Sequence, residues 1–171
     1  MTIPTRRVVL ALGSNRGDRF ALLQGAVEAL ADTPDLTVLA VSPVYETDPV
    51  GGPEQPDYLN AVVLAEGPQS PRTLLERALA IEDAFDRTRE VRWGPRTLDV
   101  DIVAVGDLQV SEPDLAVPHP RARERAFVLV PWCDADPDAE LPGLGSVGAL
   151  VAGLDSSGVR RRDDLVLEVP S

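Results

Sequence analysis

Asp99 and Asp101 stand two residues apart in the otherwise apolar run Leu98-Asp99-Val100-Asp101-Ile102-Val103. In a strand, residues i and i+2 point to one face, about 6–7 Å apart along the chain. Two parallel carboxylates repel each other and lose hydration, and a divalent cation offsets both effects. Taken alone, the pair is equally compatible with a strand whose one face meets solvent. The arginines add to it: seven of the 16 lie between Arg87 and Arg125, with Arg87, Arg89, Arg92 and Arg96 before the aspartates and Arg121, Arg123 and Arg125 after them. Guanidinium groups near a metal-binding carboxylate pair suit a polyphosphate held by both. Part of the set, Arg121 and Arg123 above all, is expected to be solvated charge, as is Arg160-Arg161-Arg162.

Other side chains suit a ligand as well as a core. His119 lies between Pro118 and Pro120, in a rigid loop that aims a side chain. It can donate to a phosphate or a ribose, or simply sit at the surface. Tyr58 and Asn60 share a strand face by the i, i+2 rule. Asn60 can pair with a heterocycle edge as donor and acceptor together, and Tyr58 and Phe127 can stack on its face or pack in the core. Cys133 reads as a small buried residue, not a nucleophile.

Composition restricts the chemistry further. In 171 residues there are 28 acidic side chains and 16 basic ones, for a net charge of −12, and every basic residue is arginine. Without lysine there is no Schiff base and no P-loop lysine. One histidine and one cysteine do not make a His/Cys zinc site, so a metal here is held mainly by carboxylates, which favours Mg²⁺. The single cysteine excludes an internal disulfide and suits a reducing compartment. The acidic surplus argues against a general nucleic-acid binder. The apolar stretch after Arg6 and Arg7 is too short for a signal peptide or a membrane span. The expectation is a cytoplasmic protein that acts as a monomer, with no nucleic-acid or membrane partner.

The elements that must position these groups follow from periodicity. Residues 8–12 form a β-rich apolar run ended by Gly13. Phe20, Leu23, Val27 and Leu30 recur at helical spacing, with Asn15 or Asp18 as the cap and Pro34 as the stop. Residues 36–44 read as a second strand, 47–56 as a Pro/Gly loop and 58–64 as a third strand. Ser70-Pro71 starts a second helix with its apolar stripe at Leu74, Ala78, Ile81 and Phe85. An arginine-rich loop over 87–97 precedes a fourth strand over 98–105. The order β-α-β-β-α-β predicts an α+β, ferredoxin-like core with an antiparallel sheet backed by helices. One domain over 1–171 is expected, with its core at about 7–132. A helix is expected over 122–130, ended by Pro131, and the C-terminal extension over about 133–171 is expected to hold a short helix over 146–154 and a last strand over 165–169.

Several motifs in one order resemble a known family. They are Gly13-Ser14-Asn15 after the first strand, Gln55-Pro56-Asp57-Tyr58-Leu59-Asn60, Arg92-Trp93-Gly94-Pro95-Arg96-Thr97-Leu98-Asp99-Val100-Asp101-Ile102, and Val117-Pro118-His119-Pro120 followed by Arg125 and Phe127. Between about residues 8 and 140 they resemble the 6-hydroxymethyl-7,8-dihydropterin pyrophosphokinases of folate biosynthesis. The resemblance implies an enzyme, an ATP-dependent pyrophosphokinase that moves pyrophosphate from ATP to the pterin hydroxymethyl group and releases AMP. It implies two Mg²⁺ ions on Asp99 and Asp101, and Arg87 and Arg96 as arginines that contact ATP and assist catalysis. It also implies His119 and Arg125 at ATP, Ile102 beside adenine, Asn60 on the pterin edge, Tyr58 and Phe127 as walls, and Thr47, Pro49 and Gly51 on the pterin-side loop. Pro120, Asp114 and Ala116 depart from the residues some members carry, which bears on the nucleotide contacts. The resemblance assigns no dedicated base; the hydroxyl proton goes to solvent or transiently to Asp101. The length is expected to leave no room for a second enzyme of the pathway.

Two other classes share these features. A nucleotidyl-transfer or cyclase domain also carries paired aspartates on a ferredoxin-like sheet, but releases pyrophosphate. A non-catalytic RNA-binding module would call for stacked aromatics, and aromatics make up only 4% of the chain; a metabolite-sensing module would have no need for the aspartate pair.

Overall fold

A computed structural model describes residues 4–49, 54–85 and 98–170. Its elements are β1 (Arg6–Ser14), α1 (Arg19–Ala31), β2 (Thr37–Val41), β3 (Tyr45–Thr47), β4 (Tyr58–Gly67), α2 (Pro71–Phe85), β5 (Asp99–Val105), β6 (Val110–Glu112) and β7 (Leu115–Val117). They continue with α3 (Ala126–Ala135), β8 (Glu140–Leu141), β9 (Gly145–Ser146), α4 (Val147–Ala152) and β10 (Val159–Arg161). The main sheet runs β10-β3-β4-β1-β5, with β2 also paired to β4, and every described pairing is antiparallel. This is the predicted α+β, ferredoxin-like arrangement, with β3, β4 and β1 as inner strands of that order.

Local chemistry accounts for the helices. The Asp18 carboxylate accepts from the Ala21 N–H at 3.1 Å and caps α1. Ser70 Oγ accepts from the Thr73 N–H at 3.2 Å ahead of Pro71, the first residue of α2. Both satisfy donors that a helix N-terminus leaves open. α1 and α2 pack Leu23, Val27, Leu30, Leu74, Ala78 and Ile81 against Leu10, Leu12, Val63 and Val100 on one sheet face. On the other face α3 and α4 lay Leu129, Trp132 and Val147 over Val9, Val62, Leu64 and Val103.

Three expected elements are corrected. The strand expected over 36–44 ends at Val41 as β2, and an unexpected strand, β3, follows at Tyr45–Thr47. Between β2 and β3 the Ser42 hydroxyl accepts the Val62 N–H at 2.8 Å, and Pro43 has no N–H to give the ladder, so the chain bends there. The helix expected to end before Pro131 is a 3₁₀ turn over Ala122–Glu124 followed by α3, which carries Pro131 inside it. Pro131 leaves the Phe127 carbonyl without its helical donor, but Val128, Leu129, Pro131 and Trp132 are all buried. That packing outweighs one lost bond. Residues 165–169 are not a strand. The Glu168 N–H and C=O are taken by the Gln24 side-chain amide, at 2.9 Å each, so no strand partner is needed. The last strand is β10, on the edge of β3.

Candidate active site

The site lies on the α3 face of the sheet, beyond the point where α3 covers it. Strand register builds it. Gly13 on β1 pairs with Asn60 on β4 and with Asp99 on β5, and Asn60 pairs in turn with Tyr45. A single row across four strands therefore reads Asp99, Gly13, Asn60, Tyr45. Asp101 lies beside Ala11 in the same way. The two smallest side chains of β1 sit between the carboxylates and the amide, and a cavity of about 700 Å³ opens over them. Asp99 and Asn60 are two strand spacings apart, about 10 Å. A Cβ on Gly13 would stand 2.7 Å from Asn60 Oδ1, so glycine is what lets the amide lie over β1.

At one end of the cavity are Asp99 and Asp101, both half-buried lining residues. At the other, the buried Asn60 donates from Nδ2 to Thr47 Oγ1 at 2.6 Å. That bond fixes the amide and leaves Oδ1 and a second N–H for a ligand. Tyr58 forms a wall, and its phenol is held above its ordinary range by burial and then by the Asp99 charge, so it stays neutral. The start of α3 also brings Arg125, Ala126 and Phe127 to the cavity, with the Arg125 guanidinium 5.6 Å from the Phe127 ring centroid. This is a cation–π distance.

β5 is held at its start by α2. Glu82, 5% exposed, accepts the Val100 N–H on Oε2 at 2.8 Å. His119 donates its backbone N–H to Val103 O at 2.8 Å, and its Nδ1 accepts from the Arg121 N–H at 3.2 Å. The neutral ring therefore carries its proton on Nε2. Burial holds its pKa below the ordinary histidine value, against an opposing pull from Asp101 and with Arg125 and Arg121 adding to the depression.

The structure brings together Thr47, Pro49, Tyr58, Asn60, Asp99, Asp101, Arg125 and Phe127 around one cavity. Ile102 points to the opposite sheet face and is buried among the α1/α2 core residues. His119 stands beside the cavity and is not among its lining residues. Arg87, Arg96, Gly51, Arg89, Arg92 and Trp93 lie outside the described residues. Asp114 is engaged by Arg72 at 2.7 and 3.0 Å, away from the cavity. Sequence reasoning missed Asp48, Gln55, Glu124, Asp155, Ser157, Gly158 and Val159 as lining residues. It also took Arg121 for solvated charge, whereas this exposed side chain lines the cavity. Only Gln55, inside a recognisable motif, carried a local signal. The four C-terminal residues reach the site through the β10–β3 pairing, which joins segments over 100 residues apart.

Comparisons with known proteins give the family. Residues 9–137 match the profile of the family described as 7,8-dihydro-6-hydroxymethylpterin-pyrophosphokinase (HPPK). A Methylorubrum extorquens protein named 2-amino-4-hydroxy-6-hydroxymethyldihydropteridine pyrophosphokinase is 48% identical over 155 residues, covering 91% of this chain and 98% of that one. A Mycobacterium tuberculosis protein of the same name is 43% identical, covering 96% of this chain and 91% of its own. Among solved structures, wild-type Plasmodium falciparum HPPK-DHPS superposes with a TM-score of 0.70 at 15% identity, and its complex with pteroate with 0.70 at 13%. These cover 88% and 90% of this chain, which spans only 45% of each of those longer chains, so they speak to the fold. With its profile match, its relatives above 40% identity and the Asp99–Gly13–Asn60 row in place, the chain belongs to the 7,8-dihydro-6-hydroxymethylpterin-pyrophosphokinase family.

Proposed function

We propose that the chain transfers pyrophosphate from ATP to the hydroxymethyl group of 6-hydroxymethyl-7,8-dihydropterin and releases AMP. Membership of the family makes it a pyrophosphokinase of folate biosynthesis. The observation that carries the finer reading is the Asp99–Gly13–Asn60 row. It separates a carboxylate end from an amide end across one cavity. The flat pterin fits between Tyr58 and Phe127 with its amide edge toward Asn60, and its hydroxymethyl group then points along the Gly13 floor toward the aspartates.

The carboxylate end fits Mg²⁺. Asp99 and Asp101 share one face of the cavity, and among the described residues no group of three or more His, Cys, Asp or Glu forms a complete cage. Two carboxylates with phosphate oxygens and water completing the shell is a usual Mg²⁺ arrangement. Asp99 and Asp101 would hold the two ions that accompany ATP. Bound Mg²⁺ supplies charge neutralisation and Lewis-acid polarisation of the phosphoryl oxygens.

The chain's own residues do the rest. Arg125 and the start of α3 place positive charge on the side of the cavity facing the carboxylates, where a polyphosphate is stabilised. His119 offers its Nε2–H as a neutral donor. Asn60, fixed by Thr47, sets the pterin's orientation, and orientation is worth a large share of a bimolecular barrier. Arg87 and Arg96 are proposed as the arginines that contact the ATP phosphates.

The product decides the reading. Incubation with ATP, Mg²⁺ and the hydroxymethyl pterin is expected to yield AMP and the pterin pyrophosphate, resolved by ion-exchange chromatography. ADP would indicate ordinary phosphoryl transfer. Free pyrophosphate would indicate a nucleotidyl-transfer or cyclase domain. Either product overturns the proposal.

A further inference from the structure

We propose that Arg160 is a positioning residue for the pterin end of the cavity, a role that rests on the reading above. Its guanidinium joins two carboxylates nine positions apart: Nη1 reaches Asp48 Oδ1 at 2.9 Å and Nη2 reaches Asp57 Oδ2 at 3.1 Å. Asp48 lines the cavity beside Thr47 and Pro49, and Asp57 immediately precedes Tyr58. One side chain from the C-terminal segment therefore ties together the two flanks that carry the pterin-side residues.

The backbone fixes Arg160 for this task. β10 pairs with β3 in the register Val159↔Thr47, Arg160↔Glu46, Arg161↔Tyr45. The Asp48 N–H donates to Gly158 O at 3.0 Å, one step beyond the ladder. A Cβ on residue 158 would stand 2.9 Å from Asp48 Oδ2, so glycine is what allows this approach. Asp155, Ser157, Gly158 and Val159 form the neighbouring stretch of cavity wall. Behind them Arg162 Nη1 meets Glu46 Oε1 at 3.4 Å, and Glu46 Oε2 accepts from Arg19 at 2.7 Å.

The Arg160 pairs are exposed, with 41–58% of each side chain open to solvent. Exposed ion pairs add little to global stability and are screened by salt. Their effect is local: they restrict how far the Asp48 and Asp57 flanks move apart. Arginine's planar fork reaches both carboxylates at once, and a lysine point charge does not.

The test combines turnover, binding and amide exchange. In Arg160→Ala the KM for the pterin is expected to rise about three- to tenfold, on the scale of one or two exposed pairs. The KM for ATP, kcat and the melting temperature are expected to stay near wild type. Arg160→Lys should fall between. The dihydropterin is uncharged, so its binding to the wild type should weaken with added salt as the pairs are screened, and its binding to Arg160→Ala should not. Hydrogen exchange at the Asp48 amide should quicken in Arg160→Ala. Unchanged pterin binding in a variant of an enzyme that does release AMP overturns the inference and leaves the functional reading standing. Equal losses for both substrates with a lower melting temperature overturn it in favour of a merely structural role. Failure of the wild type to release AMP overturns the functional reading, and the pterin role of Arg160 with it. Unchanged exchange at Asp48 overturns the clamp itself, whatever the product.

Discussion

Asp99 and Asp101 are two like charges held on one face of β5. Without a cation, removing one charge relieves repulsion. Asp101→Asn is therefore expected to fold with an unchanged or slightly higher melting temperature in metal-free buffer. Its AMP formation is expected to fall at least about a hundredfold, the scale of losing a charge-stabilising group. Near-normal turnover would remove the aspartates from the mechanism. Asn60 and Gly13 make a second pair. Asn60→Ala removes the amide that reads the pterin edge. Gly13→Ala leaves the amide in place but puts a Cβ 2.7 Å from its Oδ1. Both substitutions are expected to weaken pterin binding by more than about tenfold while ATP binding changes little, since one or two hydrogen bonds to a buried ligand are lost. Titration by fluorescence separates the two ligands, and parallel losses for both would contradict the division of the cavity.

Among the elements, α2 governs β5 through one buried carboxylate. Glu82 accepts the Val100 N–H between the two aspartates in sequence. Glu82→Ala leaves that buried donor without its acceptor and is expected to cost about 2–3 kcal/mol in urea unfolding. Glu82→Gln keeps an oxygen acceptor and should cost less. An equal loss in both variants would mean that the charge, and not the capped N–H, is what matters. The same scale explains what was legible in sequence. α1, α2, β1, β4 and β5 showed regular apolar spacing and their own caps. In sequence β2 reads too long and β3 is missed, because Ser42 and Pro43 break the ladder without a glycine or a charged turn to announce it, and three residues are too few to show a period. α3 ran past Pro131 because tertiary burial of Leu129 and Trp132 overrode a local stop.

Across the whole molecule, Glu46 gathers three distant segments. It lies on β3 and bonds Arg19 at the start of α1 and Arg162 after β10. The Arg19 hydrogen bond, opposed by burial and helped by the charges of Arg19, Arg162 and Arg160, holds its carboxyl below the ordinary 4.5. The unfolded chain then binds a proton more readily than the folded one, so stability rises with pH across this window. The contribution is complete above the ordinary glutamate value and is lost as pH falls through the depressed folded one. Glu46→Gln should lower stability at neutral pH by about 1–2 kcal/mol and flatten this acid limb in chemical denaturation. A limb as steep as that of the wild type would assign it to other carboxylates.

By itself the sequence determined the order of β1, α1, β4, α2 and β5, the shared face of Asp99 and Asp101, the shared face of Tyr58 and Asn60, and the motifs that tie the chain to its family. Each of these is a matter of short-range spacing, fixed by the periods of strand and helix. Tertiary structure alone decided that Gly13 separates Asp99 from Asn60, that Ile102 faces the α1/α2 core, and that Arg160 spans Asp48 and Asp57. Strand register and edge pairing are set by the packing of both sheet faces at once, and no local window of residues contains that information.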